Sequence, residues 1–140
     1  MSERGHAAVE LALAVGVLLL PAALAVLAFG PWSEKQVAAE ALAAEAARTA
    51  VLELSLAAGA SAVGEQAAAL GLDPTSVRLG WCGASPENQP AGSCALARGS
   101  AVSATIEIWT PLVPTPWGPV GGLWVSADHS EPIDLYRSLG

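Results

Sequence analysis

Positive charge is scarce in this sequence, which has six Lys and Arg residues against thirteen Asp and Glu and a formal net charge of −7. The six basic residues are scattered singly along the chain. Because nucleic-acid-binding proteins neutralise phosphates with clustered Lys and Arg, the sequence argues against a nucleic-acid partner. An acidic balance of this size mainly favours solubility.

Cysteine is also scarce, since the chain has only Cys82 and Cys94. Two cysteines cannot build a four-cysteine zinc site, and no His lies near them in the sequence to complete a mixed one. If the domain is exported, a pair at this spacing predicts a disulfide that closes a short loop. The chain-entropy model gives such a bond about 3 kcal/mol of stabilisation. Two separate reduced thiols are the alternative.

Catalytic motifs are missing, because the sequence has no Gly-x-Ser-x-Gly, no phosphate-binding loop and no His-Glu-x-x-His. Of the two histidines, His6 begins an apolar run and His129 follows Asp128, where a surface residue is a simpler interpretation than a general base. Asp128, Glu131 and Asp134 lack the ligand spacing of a calcium loop and are interpreted as a solvated acidic tail. The sequence therefore predicts a protein that is not an enzyme and has no catalytic residue, cofactor or metal site.

Hydrophobic residues, in contrast, make up 53% of the chain and are concentrated near its start. No charged residue occurs in residues 11–33. As an α-helix, residues 11–29 would be roughly 28 Å long, which matches the hydrocarbon core of a bilayer. Pro21 is tolerable there as a kink, and Gly30-Pro31-Trp32 then ends the run with an aromatic residue at interface depth. We therefore predict a transmembrane helix over residues 6–32.

Two further helices are predicted before residue 73. Ser33 is a candidate N-cap for a helix from residue 34 to about residue 57, which is rich in Ala, Glu and Leu and has no internal Gly or Pro. A shorter helix over about residues 62–70 follows a break at Gly59. Together they predict an alanine-rich helical stalk over residues 33–72.

The remaining chain, residues 73–140, has the pattern of a small exported β-rich domain. Residues 77–82, 102–109 and 122–129 alternate between apolar and polar side chains, as half-buried strands do. Residues 111–119 contain four prolines, which are excluded from central strands, so this stretch is predicted to be an extended connection. The expected fold is α+β, with a long N-terminal helix followed by a small three-stranded antiparallel sheet.

The positions of the five tryptophans in this pattern suggest a role for each of them. Trp32 is interpreted as an interface anchor, and Trp81 and Trp124 as packing on the sheet. Trp109 and Trp117 flank the proline-rich connection, where local packing is the preferred interpretation and a partner-binding patch the alternative.

A carboxylate stands at the head of the apolar run, in Gly5-His6-Ala7-Ala8-Val9-Glu10. Such a charge costs about 2.5–3.5 kcal/mol near the bilayer centre and less near its edge. If residues 1–5 are a leader that is cut after Gly5, His6 becomes the new N-terminus and Glu10 the fifth residue. The α-ammonium of one subunit and the carboxylate of its neighbour can then neutralise each other. The alternative is that Glu10 simply lies among the lipid headgroups.

Arg4-Gly5, the following Ala-Ala-Val-Glu and the Leu/Val/Ala-rich span resemble the TadE-like proteins of the tight-adherence (Flp) pilus system. The resemblance covers about residues 4–50. It implies a pseudopilin or minor pilin whose leader is cut after Gly5 by a membrane-embedded aspartate prepilin peptidase, with Glu10 as the fifth-position glutamate. In the major Flp pilin a Tyr usually follows that glutamate, and Leu11 stands there instead, which favours an accessory role.

The resemblance also implies the partners and the location of the chain. Other pilin-like subunits and pilus assembly proteins would contact the N-terminal helix, in addition to the prepilin peptidase and the lipid bilayer. The helix would cross the cell membrane once, with a cytoplasmic N-terminus and an extracytoplasmic C-terminal domain, and Arg4, the basic residue before the span, agrees with that orientation. Two alternatives remain: a secreted protein with a signal peptide cut near residues 22–25, and a small disulfide-bonded binding protein on a single-pass anchor, unrelated to pili.

Overall fold

A computed structural model describes residues 4–84, 86, 94–115 and 117–136 of the chain. Helix α1 (Arg4–Glu53) is followed by helix α2 (Leu56–Ala69), a 3-10 turn (Pro74–Ser76) and strands β1 (Val77–Trp81), β2 (Ala101–Thr115) and β3 (Gly118–Pro132). The three strands form one antiparallel sheet in the order β1-β2-β3. The predicted α+β fold, with a long apolar N-terminal helix and a small three-stranded antiparallel sheet, is confirmed.

The sheet has one buried face, as the alternation in the sequence predicted. Ile106 is paired with Leu79 on β1 and with Ala127 on β3, and Ile108 is paired with Val125. The buried residues of β2 are those at every second position, Val102, Ala104, Ile106, Ile108 and Thr110. Side chains that alternate across a pleated strand place this set on one face, and α1 packs against that face.

Strands β2 and β3 extend beyond β1 as a two-stranded ribbon. β1 pairs with β2 only as far as Ile108, whereas β2 and β3 continue to pair through Pro111↔Gly122 and Thr115↔Gly118. We call residues 109–115 and 118–124 the ribbon. The prediction that residues 111–119 form an extended connection outside the sheet is therefore wrong. Each strand of a two-stranded ribbon is an edge strand, and edge strands accommodate proline because half of their N–H groups need no ladder partner.

Helix α1 continues through Gly30-Pro31-Trp32, where the sequence predicted a boundary. Ser33 is consequently not an N-cap. Its hydroxyl donates a hydrogen bond of 2.8 Å to the carbonyl oxygen of Gly30, one turn earlier in the same helix. Serine hydroxyls in helix interiors often bond to a preceding carbonyl in this way. The membrane-compatible segment and the next segment are thus parts of one helix.

The chain turns at Leu54 and Ser55, and the predicted break at Gly59 is wrong. Leu54 has a positive φ of 50°, and the N–H of Ser55 donates to the carbonyl of Ala50 at 3.0 Å. A left-handed residue with this six-to-one hydrogen bond ends many helices. The Ser55 hydroxyl then caps α2 by accepting from the N–H of Ala58 at 3.3 Å. A serine before an apolar run is an N-cap signal that the sequence analysis missed.

The core lies where α1, α2 and the buried face of the sheet meet. The buried residues of α1 are spaced three and four apart, as on one face of a helix, and are Ala39, Leu42, Ala43, Ala46, Ala47, Ala50 and Val51. Because most of them are alanines, neighbouring elements approach closely. Trp81, at the end of β1, is 2% exposed and fills the space between α2 and α1 next to Gly59.

Candidate functional site

The N-terminal part of α1 presents an apolar surface over residues 9–26 and 29–32 that carries one charge, Glu10, and we call residues 9–32 the exposed half-helix. Its large exposed hydrophobic residues are Val9, Leu11, Leu13, Val15, Val17, Leu18, Leu19, Leu20, Leu24, Val26, Phe29 and Trp32. Among the residues that the structure describes, α1 is the one helix long and apolar enough, by length and composition, to cross a membrane. An apolar surface of this extent is typical of a segment that inserts into lipid or contacts another protein.

The transition from exposure to burial takes about two helical turns. The rings of Phe29 and Trp32 contact each other, with centroids 5.4 Å apart. Lys35 and Gln36 are half-buried, and full burial begins at Ala39. One helix therefore combines an exposed apolar half with a half that forms the core of the α+β domain.

The residues assigned to processing and assembly all lie at the start of α1. The backbone of Gly5 and His6 is helical, and Glu10 is an exposed carboxylate. The next charged residue along the helix is Glu34, roughly 36 Å away at 1.5 Å per residue. Glu10 is thus an isolated charge at one end of an uncharged helix of bilayer length. The roles of Gly5, His6 and Glu10 remain predictions, as does the division of the chain at residues 5, 32 and 72.

Cys82 and Cys94 form a disulfide with their Cα atoms 5.5 Å apart, which confirms the predicted pair. The bond joins the end of β1 to the segment that leads into β2. Next to it, the N–H of Cys82 donates to the carbonyl of Ser103 at 2.9 Å, and the N–H of Ala84 donates to the carbonyl of Trp81 at 3.0 Å. These contacts fix the turn at which the chain leaves the sheet. Disulfides persist in oxidising compartments, which suits an exported domain.

The acidic residues near the C-terminus lie on the surface. Asp128 and Asp134 are exposed, and the imidazole Nε2 of His129 lies 3.4 Å from Oε2 of Glu131. The carboxylate of Asp134 accepts a hydrogen bond from the N–H of Tyr136 at 2.9 Å. Within the described ranges, no three His, Cys, Asp or Glu side chains are grouped so that they could hold a metal ion.

The outer face of the sheet carries an aromatic cluster that the sequence analysis did not predict as a unit. Trp109 and Trp124 are paired across β2 and β3, with ring centroids 5.3 Å apart at 60°. The guanidinium of Arg78 lies 3.8 Å from the centre of the Trp124 ring, within the range of a cation–π contact. On the other side, the Trp109 ring covers Gly122 so closely that a side chain there would overlap it. Trp109 and Trp124 thus pack on the sheet, as predicted, whereas Trp117 is exposed and does not show the local packing preferred for it.

Two further features belong to the scaffold. An open groove of about 430 Å³ lies between α2 and β1, lined by apolar residues including Leu56, Val63 and Trp81, and it contains no titratable side chain. At the 3-10 turn, the Asp73 carboxylate accepts hydrogen bonds from the hydroxyl of Thr75 at 2.6 Å and from its N–H at 2.8 Å. These two bonds lower the pKa of Asp73 below the usual value for an aspartate, the hydroxyl contributing the larger effect.

Comparison of the chain with models of protein families, with curated proteins and with solved structures finds no match.

Proposed function

We propose that this chain is a TadE-like, membrane-anchored pseudopilin or minor pilin that contributes to the assembly of a Flp-type pilus. The observation that carries the proposal is the division of α1 into an exposed apolar half and a half that packs on an antiparallel sheet. A subunit of this shape can be held in a bilayer by the exposed half. The same half can later pack against the helices of other subunits, while the sheet domain stays in water.

The proposed assembly contact involves Glu10. Cleavage after Gly5 would give His6 a free α-ammonium, and Glu10 would be the fifth residue of the mature chain. Because residues 11–33 have no charge, a lone carboxylate beside them lacks a counter-charge within the span. An ammonium from a neighbouring subunit would supply it at the cytoplasmic end of the helix. Prepilin-type cleavage thus creates the group with which Glu10 pairs.

A second candidate is a small disulfide-bonded binding protein on a single-pass anchor, unrelated to pili. The Cys82–Cys94 bond and the apolar groove between α2 and β1 favour it. In that protein Glu10 would lie among the headgroups and contribute nothing to subunit contact. The two proposals therefore differ in the role of one carboxylate.

Quantitative pull-down from membranes at matched expression tests the assembly role. Glu10→Ala should insert into the membrane at least as well as wild type, since it removes an unpaired charge. Its recovery of pilin-like subunits should fall by about five- to 150-fold, which corresponds to a pair worth about 1–3 kcal/mol. Glu34→Ala is the matched control, because Glu34 is an exposed carboxylate on the same helix beyond the uncharged span. Equal recovery with the two variants would refute the assembly role of Glu10.

A further inference from the structure

The tip of the ribbon is an exposed apolar surface. Trp117, in the turn between β2 and β3, is 93% exposed, and Leu112 and Val120 are 49% and 62% exposed. No charged residue occurs between Glu107 and Asp128. The ribbon extends past the last pairing of β1 by seven residues of β2, or roughly 23 Å at 3.3 Å per residue. It therefore presents an uncharged, tryptophan-bearing tip at a distance from the core.

The direction of the ribbon follows from the contacts between α1 and β3. Gln36 and Glu40 line one surface depression together with Ser126 and Asp128. Later in the helix, Arg48 lines another depression together with β3 residues closer to its end. Helix α1 and strand β3 thus run in the same direction, so the start of β3 lies towards the N-terminal end of α1. The ribbon points to the same side of the domain as the exposed half-helix.

The ribbon is more than long enough for its tip to reach the level at which the apolar span of α1 ends. From Ser126 back to Trp117 there are nine residues, roughly 30 Å of strand, whereas from Gln36 back to Trp32 there are four residues, roughly 6 Å of helix. Only about 6 Å of the ribbon's length is needed along the helix axis to reach the level of Trp32, so a tip at the interface requires a ribbon that runs steeply across the helix or a helix tilted in the membrane. Trp32 is the aromatic residue at the predicted edge of the hydrocarbon core.

We propose that the ribbon tip, formed by Trp117, Leu112 and Val120, docks on the outer interfacial layer of the bilayer that holds α1. This inference depends on the membrane anchoring in the proposed function. Tryptophan favours the interface because its ring is apolar and its N–H is polar. The ribbon cannot enter the hydrocarbon deeply, since the outer edges of its two strands carry backbone groups that need water or headgroup partners. The tip is a second contact that orients the sheet domain relative to the membrane.

Depth-dependent quenching of tryptophan fluorescence tests the proposal on the full chain in phosphatidylcholine vesicles. The difference in emission between wild type and Trp117→Phe isolates the contribution of Trp117, and the exposure of this residue makes the variant harmless to the fold. Most of that contribution should be lost in vesicles whose lipids carry bromine near the headgroup end of the acyl chains, and aqueous iodide should quench little of it. Trp32→Phe serves as the matched control for an interfacial tryptophan on α1.

Three other outcomes would each overturn the proposal, and they differ in whether the membrane anchor of α1 is retained. If iodide quenches the emission of Trp117 and bromolipid does not, the tip lies in water, although α1 is still anchored in the membrane. A contribution protected from both quenchers would show that protein, such as a second copy of this chain, covers the tip. Failure of the full chain to float with the vesicles would refute the membrane anchor itself.

Discussion

Gly59 on α2 lies so close to Trp81 that a Cβ atom at position 59 would fall 2.7 Å from Cη2 of the indole ring and 2.6 Å from the carbonyl oxygen of Ala46. The absence of a side chain lets α2 approach α1 and cover the largest buried residue of the domain. Glycine in a helix interior costs up to about 1 kcal/mol relative to alanine, so this close packing must offset that cost.

Gly59→Ala should therefore lower the free energy of unfolding by about 1–3 kcal/mol, because the added methyl group meets backbone and a fixed ring. Gly64→Ala is the matched control on the same helix, since nothing lies within 4 Å of a Cβ there. We expect the control to be neutral or stabilised by up to about 1 kcal/mol. Urea unfolding of the full chain in mild detergent measures both. Equal stability of the two variants would contradict the proposed packing.

Thr110 is 3% exposed, and its hydroxyl has no hydrogen-bond partner in the described part of the chain. Thr110→Val keeps the shape and removes the buried hydroxyl, so it should raise the free energy of unfolding by about 1 kcal/mol. Thr105→Val, on the half-exposed outer face of the same strand, should change it by less than about 0.5 kcal/mol. A destabilised Thr110→Val variant would show that the hydroxyl has a partner.

The Cys82–Cys94 disulfide should contribute about 3 kcal/mol to the free energy of unfolding, because closing a loop lowers the conformational entropy of the unfolded chain. The double variant Cys82→Ser, Cys94→Ser should lose this amount, and reductant should then have no further effect on its unfolding. Intact mass after alkylation, with and without reductant, reports the bond directly. Two freely alkylated thiols in protein taken from its native compartment would be incompatible with it.

The hydrogen bonds of Asp73 predict how the stability of the fold depends on pH. Since the hydrogen bonds from Thr75 lower the folded-state pKa of Asp73, the charged carboxylate stabilises the fold above the unfolded-state pKa. That contribution should disappear as the pH falls below about 4 and through the folded-state value. The difference in Tm between wild type and Asp73→Asn should therefore be present at neutral pH and shrink in acid. A difference that does not change with pH would contradict this assignment.

The features that could be predicted from the sequence are those with a clear local pattern. Alternation placed Ile106 and Ile108 on the buried face of β2, and the uncharged run marked the exposed half-helix. The buried face of α1 was not predicted because it consists mainly of alanines, which also occur on the other faces of this helix and give little contrast between them. The other features depend on contacts between elements. Gly59 lies inside a helix where the ring of Trp81 leaves no room for a side chain. The prolines of the ribbon lie in strands because both strands are edge strands there.

Processing should require Gly5, the residue before the proposed cut. A side chain at this position would clash in a peptidase site close to the membrane, so Gly5→Val should accumulate as full-length precursor on a gel. Gly16→Val is the matched control, because Gly16 lies on the same helix with open space around it. That variant should mature normally. If Gly5→Val matures like the control, the assignment of the cleavage site is wrong.

A pseudopilin is both cleaved and anchored, so the N-terminal sequence of the mature protein, isolated from its native membrane, decides between the proposed function and a secreted protein. The proposed function predicts a chain that begins at His6 and retains the whole exposed half-helix with Glu10 as its fifth residue. A mature chain that begins near residue 25 would show cleavage by signal peptidase and loss of most of that half-helix, and would contradict the account.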